Sequence, residues 1–110
     1  MIEYENFEFF DKSEIEKLLK TSSEVEIPKI LIGAVNGIND VNWLQDLLMN
    51  YVENEDYWIS KTSIGLFGDL ARIFGKIDKN KILKKLKSIE RQDLKYIVDE
   101  VIEDIEIFCQ

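Results

Sequence analysis

Three segments of this chain repeat one apolar pattern at helical spacing, and this repetition limits the folds it can adopt. The aligned positions are Ile27/Ile59/Leu94, Leu31/Ser63/Val98, Ala34/Leu66/Val101, Val35/Phe67/Ile102 and Ile38/Leu70/Ile105. The offsets are 32 residues (27 to 59) and 35 residues (59 to 94). Such a period, with two helices per unit, is typical of an α-solenoid. An irregular helical bundle is the alternative, because any amphipathic helix repeats its apolar residues every three to four positions.

Local start and stop signals divide the chain into six predicted helices. These signals are the capping box Ser13-Glu14-Ile15-Glu16, Pro28 in a first turn, the caps at Asn39-Asp40 and Asp78, the boundary at Asn54-Glu55-Asp56, Gly75 after the fourth helix, and a start of the sixth helix near Gln92-Asp93. The 110 residues, 45% of them hydrophobic, suit one independently folding domain. We therefore predict an all-α fold, a short right-handed α-solenoid of about three antiparallel helix pairs over residues 13–38, 40–75 and 78–108. Residues 1–12, which include Tyr4, Phe7, Phe9 and Phe10, would cap the first pair.

The fourth predicted helix carries a known repeat pattern. Residues 59–70 read I-S-K-T-S-I-G-L-F-G-D-L, which resembles the second helix of HEAT repeats, V-R-x-x-A-A-x-A-L-G-x-I. Ser60 stands where that pattern has arginine, and Glu103 stands where the last helix would have glycine. Residues 68–75 and 99–108 resemble small bacterial HEAT-like proteins in particular, and the resemblance covers roughly residues 40–108.

This resemblance implies a function, because some members of that group are immunity proteins of contact-dependent growth inhibition or other toxin systems. We therefore expect an immunity protein that covers the active site or substrate-binding surface of a basic, nuclease-type toxin. It would be a monomer when free and a heterodimer with the toxin. The alternative is a general HEAT-like adaptor with a non-toxin partner. An enzyme related to HEAT-like bilin lyases is disfavoured, because no residue marks a chromophore site.

The charge of the chain favours a basic protein as partner. The formal net charge is −8, although residues 61–90 are basic. Phosphate backbones are bound by clustered Lys and Arg, so nucleic acid is an unfavoured ligand. An acidic surface instead attracts basic proteins and accelerates their association.

Residues for catalysis are scarce. Histidine is absent, which removes the most common general base and zinc ligand, and Cys109 is the single cysteine. The pair Gly65-x-x-Gly68 fits neither a P-loop nor a dinucleotide fingerprint. We expect no enzymatic activity, no cofactor and no metal site.

Charged runs on the last two helices have alternative interpretations. The acidic row, defined as Asp99, Glu100, Glu103, Asp104 and Glu106, is typical of a solvated face, a binding face for a cationic partner, or a metal or catalytic site. The lysine run comprises Lys76, Lys79, Lys81, Lys84, Lys85 and Lys87. Without interleaved arginine or aromatic residues, it favours an outward face that pairs with acidic neighbours over a nucleic-acid patch.

HEAT-like stacks often bind through exposed positions of their second helices. Those positions here are Ser60, Lys61, Asp69, Arg72, Tyr96, Asp99, Glu100 and Glu103. Trp43, Tyr57 and Trp58 are expected mainly in the core, although exposed Trp and Tyr make good interface anchors. A start without a secretory signal and the lack of a long apolar run predict a cytoplasmic protein that does not insert in a membrane.

Overall fold

The computed structural model describes residue 9 and residues 11–109, and within this part of the chain it contains helices and no strands. The six α-helices are α1 (Lys12–Thr21), α2 (Ile27–Gly37), α3 (Val41–Met49), α4 (Tyr57–Phe74), α5 (Lys79–Lys87) and α6 (Lys95–Phe108). A 3₁₀ turn over Gln92–Leu94 leads into α6. The predicted all-α class is confirmed.

Aspartate side chains begin four of the six helices. Asp40, Asp56 and Asp78 accept hydrogen bonds from backbone N–H groups in the first turns of α3, α4 and α5. Such caps satisfy donors that have no partner within the helix. Gly75 ends α4 in the left-handed conformation, with φ of 64°, as predicted.

The predicted start of α1 at Ser13 is wrong, because the cap lies two residues earlier. The Asp11 carboxylate accepts bonds from the backbone N–H groups of Ser13 (2.9 Å) and Glu14 (3.4 Å). This places Lys12 in the first helical turn and shortens the predicted capping segment of residues 1–12. Residues 1–8 and 10 of that segment, with Tyr4, Phe7 and Phe10, lie outside the described residues.

Helix α4 is the centre of the core and packs against α6, α2 and α3. Its inward positions are buried as the repeat predicts: Ile59, Ser63, Leu66, Phe67 and Leu70. The Ser63 hydroxyl donates to the Ile59 carbonyl at 2.7 Å, so its burial leaves no unpaired polar atom.

Contacts between α4 and α6 follow the same order along both helices. The hydroxyls of Tyr57 and Tyr96 lie 3.3 Å apart near the two N-terminal ends. Further along, Arg72 Nη1 donates to Asp104 Oδ2 at 3.1 Å. Between these contacts α6 comes close to Gly68, where an added Cβ would lie 3.2 Å from Asp104 Oδ2.

Lysines of α5 pair with carboxylates on other elements. Lys81 reaches Asp46 at 3.7 Å and Lys85 reaches Glu53 at 2.7 Å. At the start of α5, Lys79 lies 3.5 Å from Glu106 near the end of α6. The interpretation of the lysine run as an outward face with acidic neighbours is confirmed for these three side chains.

Candidate protein-binding surface

Seven of the eight sequence-predicted binding residues reach the surface, and Ser60 does not. Ser60 is fully buried, and its hydroxyl donates to the Val52 carbonyl at 2.5 Å, in the connection between α3 and α4. The expectation that Ser60 is exposed is therefore wrong. Its hydroxyl satisfies a backbone acceptor and does not face a partner.

Three aromatic side chains, Tyr57, Trp58 and Tyr96, form an aromatic cluster at the N-terminal ends of α4 and α6. Tyr57 and Trp58 meet edge to face, with ring centroids 5.0 Å apart and an interplanar angle of 89°. Lys61 Nζ lies 5.1 Å from the Trp58 ring and 5.8 Å from the Tyr57 ring. Cation–π attraction at these distances holds the lysine against the cluster. Of the predicted residues, the fold thus brings Lys61 and Tyr96 together.

Arg91, in the turn before α6, contacts the aromatic cluster and the loop before α4. Its guanidinium lies 5.9 Å from the Tyr57 ring and donates to both Asp93 carboxylate oxygens, at 3.2 and 3.0 Å. It also donates to the carbonyls of Asn54 and Glu55, each at 3.2 Å. The hydrogen bonds to Asp93 are the main reason that the pKa of Arg91 lies above its usual value. Arg91 therefore ties the loop before α4 to the turn before α6.

The two cluster hydroxyls share one hydrogen bond, and their pKa values move in opposite directions. The bond to Tyr96 raises the pKa of Tyr57, whereas the bond to Tyr57 and then Lys61 lower the pKa of Tyr96. A donor loses its bond when it ionises, while an acceptor is strengthened as an anion. Either hydroxyl can donate while both are neutral, but once Tyr96 is ionised its phenolate can only accept, so Tyr57 is then the donor.

We expect Tyr96 to ionise before Tyr57 in an alkaline titration. The Tyr96 phenolate should form below pH 10, the ordinary tyrosine value, and Tyr57 should ionise above it. Tyr57→Phe removes the hydroxyl that donates to the Tyr96 phenolate, so it should raise the pKa of Tyr96. Ultraviolet absorbance of tyrosinate measures both effects. An early ionisation that persists in Tyr96→Phe would contradict the assignment.

The charged residues farther along α4 and α6, beyond the aromatic cluster, differ in whether they form salt bridges. Arg72 pairs with Asp69 and with Asp104, and Asp99 lies 3.4 Å from Lys95. Glu100 and Glu103 are exposed and form no salt bridge with any described residue. These two carboxylates are thus the members of the predicted set that are most available to a cationic partner.

The sequence prediction placed Trp58 mainly in the core, and this is wrong, because the side chain is 62% exposed. Trp43 and Tyr57 are partly buried and pack against the core, as predicted. The exposure of Trp58 could have been predicted from its position in the sequence, because its neighbour Ile59 is the first of the apolar positions of α4 that face the core. A residue one position before Ile59 points about 100° away from it on a helix.

Trp58 borders an open groove between the N-terminal parts of α2 and α4. The groove has a volume of about 400 Å³, and we call it the tryptophan groove; it is lined by Glu24, Val25, Pro28, Ile32, Asp56, Trp58 and Thr62. Val25 is 78% exposed. Exposed apolar surface of this kind is a common property of protein-interaction sites.

In the described part of the chain, no group of three or more Asp, Glu or Cys side chains is arranged to hold a metal ion. None of the helices in residues 11–109 is long and apolar enough to cross a membrane. No protein-family model, curated protein or solved structure gives a significant match to the chain.

Proposed function

We propose that this chain is an immunity protein that binds a basic bacterial toxin and covers its active site or substrate-binding surface. The observation that carries the proposal is the aromatic cluster, in which Trp58 and Tyr96 are exposed, together with two exposed carboxylates on the helix of Tyr96, Glu100 and Glu103, that form no salt bridge with a described residue. Aromatic side chains supply much of the binding energy at protein interfaces. Carboxylates beside them favour a cationic partner and speed its approach. The toxin as partner follows from the resemblance to small bacterial HEAT-like proteins.

The order of helix contacts supports a HEAT-like stack as the frame of this surface. In such a stack, equivalent helices of successive pairs run side by side in the same direction. The contacts from Tyr57–Tyr96 to Arg72–Asp104 are ordered in this way. Lys79 near the start of α5 meets Glu106 near the end of α6, which fits two antiparallel helices within one pair.

Charge reversal on α6 should weaken toxin binding. We expect Glu100→Lys/Glu103→Lys to reduce affinity by about tenfold or more, mainly through slower association, because it replaces attraction by repulsion. The matched control is Glu14→Lys/Glu16→Lys, two exposed glutamates of α1 with the same change in net charge. The association rate constant with the purified toxin, measured at low and high salt, tests this expectation.

The toxin itself can be sought as the product of the adjacent gene. Co-expression with this chain should relieve its toxicity and give a complex that purifies as a 1:1 heterodimer. Persistent toxicity without a complex would refute the immunity proposal. Equal losses of affinity in the α6 and α1 variants would show that only the overall charge of the protein matters. The toxin would then not bind specifically at Glu100 and Glu103. Recovery of a non-toxic housekeeping protein would favour the adaptor alternative.

A further inference from the structure

The tryptophan groove has two chemically distinct parts. Trp58, Val25, Pro28 and Ile32 provide an apolar wall. Glu24 and Asp56 provide carboxylates, and no Lys or Arg of the described residues lines the groove. Lys61 approaches the Trp58 ring from the aromatic cluster, with its Nζ 5.1 Å from the ring centroid. A side chain that fits both parts needs an apolar stem and a cationic end.

We propose that the tryptophan groove is the anchor site for an arginine side chain of the basic protein partner. The methylene stem of arginine would lie on Pro28 and Ile32. Its planar guanidinium would stack on the Trp58 ring in competition with Lys61, which lies 5.1 Å from that ring, and would donate to a carboxylate. Arginine suits this site better than lysine, because it combines stacking with paired donors in one rigid plane. The source of the arginine, a protein partner, rests on the proposed function.

The acidic part of the groove is held in place by the fold. Asp56 caps α4, and its Oδ1 accepts a hydrogen bond from the Ile59 N–H at 3.0 Å. The carboxylate therefore keeps a constant position beside the Trp58 ring, two residues along the helix. A fixed acceptor reduces the ordering cost of binding a cation.

The groove also continues the proposed binding surface. Trp58 lines the groove between α2 and α4 and contacts Tyr57, which is bonded to Tyr96 of α6. One partner can therefore contact the aromatic cluster and the groove at the same end of α4. This continuity assigns the groove to the same partner that meets the acidic row.

Binding of arginine to the groove can be tested with a capped single amino acid, without the protein partner. N-acetylarginine amide is titrated into isotopically labelled full-length protein, and the Trp58 indole N–H and the Ile32 and Thr62 amides report by NMR. We expect saturable shifts at these three positions. N-acetylcitrulline amide, which has nearly the same shape without the charge, should bind at least threefold more weakly. Equal binding of the two compounds, or shifts that miss the groove, would overturn the proposal.

Two variants, each of which replaces two carboxylates by amides, separate the role of the groove from that of the net charge of the protein. Glu24→Gln/Asp56→Asn removes both charges while asparagine still caps α4, and it should weaken arginine binding at least threefold. Glu16→Gln/Asp11→Asn makes the same changes at an exposed glutamate and the cap of α1, and it should have no effect. Unchanged binding in the groove variant would overturn the proposal.

The outcomes also distinguish this inference from the proposed function. Toxin binding that is unaffected by Glu24→Gln/Asp56→Asn would refute the arginine anchor and leave the immunity role intact. Arginine binding in the groove without any toxin complex would refute the immunity role and leave the anchor chemistry intact.

Discussion

Replacing Phe67 by alanine is expected to lower the free energy of unfolding by about 3–5 kcal/mol. Phe67 is fully buried in α4, the helix that packs against α2, α3 and α6. The loss combines the removed apolar burial with the cavity left in a core that can collapse only in part. Domains of this size are stable by about 5–15 kcal/mol, so the loss would be a large fraction of the total. Urea unfolding followed by circular dichroism measures it.

The control for this substitution lies on the same helix. Ile73 is 58% exposed, so Ile73→Ala removes little buried surface, and we expect a change within about 0.5 kcal/mol. A comparable loss in both variants would show that α4 does not have one buried face and one exposed face. Such a result would contradict the central position of α4 in the core.

Gly37→Ala should destabilise the protein by about 1–3 kcal/mol through a backbone clash. A Cβ at Gly37 would overlap the Phe9 carbonyl oxygen and would lie 2.7 Å from the carbonyl carbon. The Phe9 N–H donates to the Gly33 carbonyl at 3.0 Å, so the Phe9 backbone lies directly over these two glycines of α2. Because backbone atoms cannot rotate away, the Phe9 backbone must move off the helix. Faster hydrogen exchange at the Phe9 amide, together with a lower melting temperature, would report this displacement.

Gly65→Ala is the matched control with the opposite expected sign. Gly65 lies inside α4, and a Cβ there meets no atom within 4 Å. Alanine is a better helix former than glycine, so this change should stabilise the protein by about 0.5–1 kcal/mol. A Gly37→Ala protein as stable as the Gly65→Ala protein would contradict the close crossing at Phe9.

The proposed binding surface combines features that differ in how far the sequence reveals them. Glu100 and Glu103 were expected at the surface, and their exposure is confirmed. Ser60 and Trp58 were each placed on the wrong side of the boundary between core and surface. Both errors lie in the first turn of α4, where neighbouring elements decide which side of the helix is covered.

The sequence by itself determined the helical class, the caps at Asp40 and Asp78, the boundary before α4, and the buried apolar positions of α4. Capping and amphipathic periodicity depend on residues a few positions apart, so they can be recognised without the fold. The start of α1 was missed although Asp11 is also local, because Asp11 and Ser13 both fit the role and only the folded backbone distinguishes them.

Only the tertiary structure decided which surfaces come together. The Tyr57–Tyr96 contact joins residues 39 positions apart, and the tryptophan groove combines residues 24–32 with residues 56–62. Such contacts depend on how one helix lies against another, and the periodicity of each helix identifies its buried face but not the position of its neighbour. The acidic row could therefore be predicted as a candidate surface, whereas the aromatic cluster and the groove beside it required the packed helices.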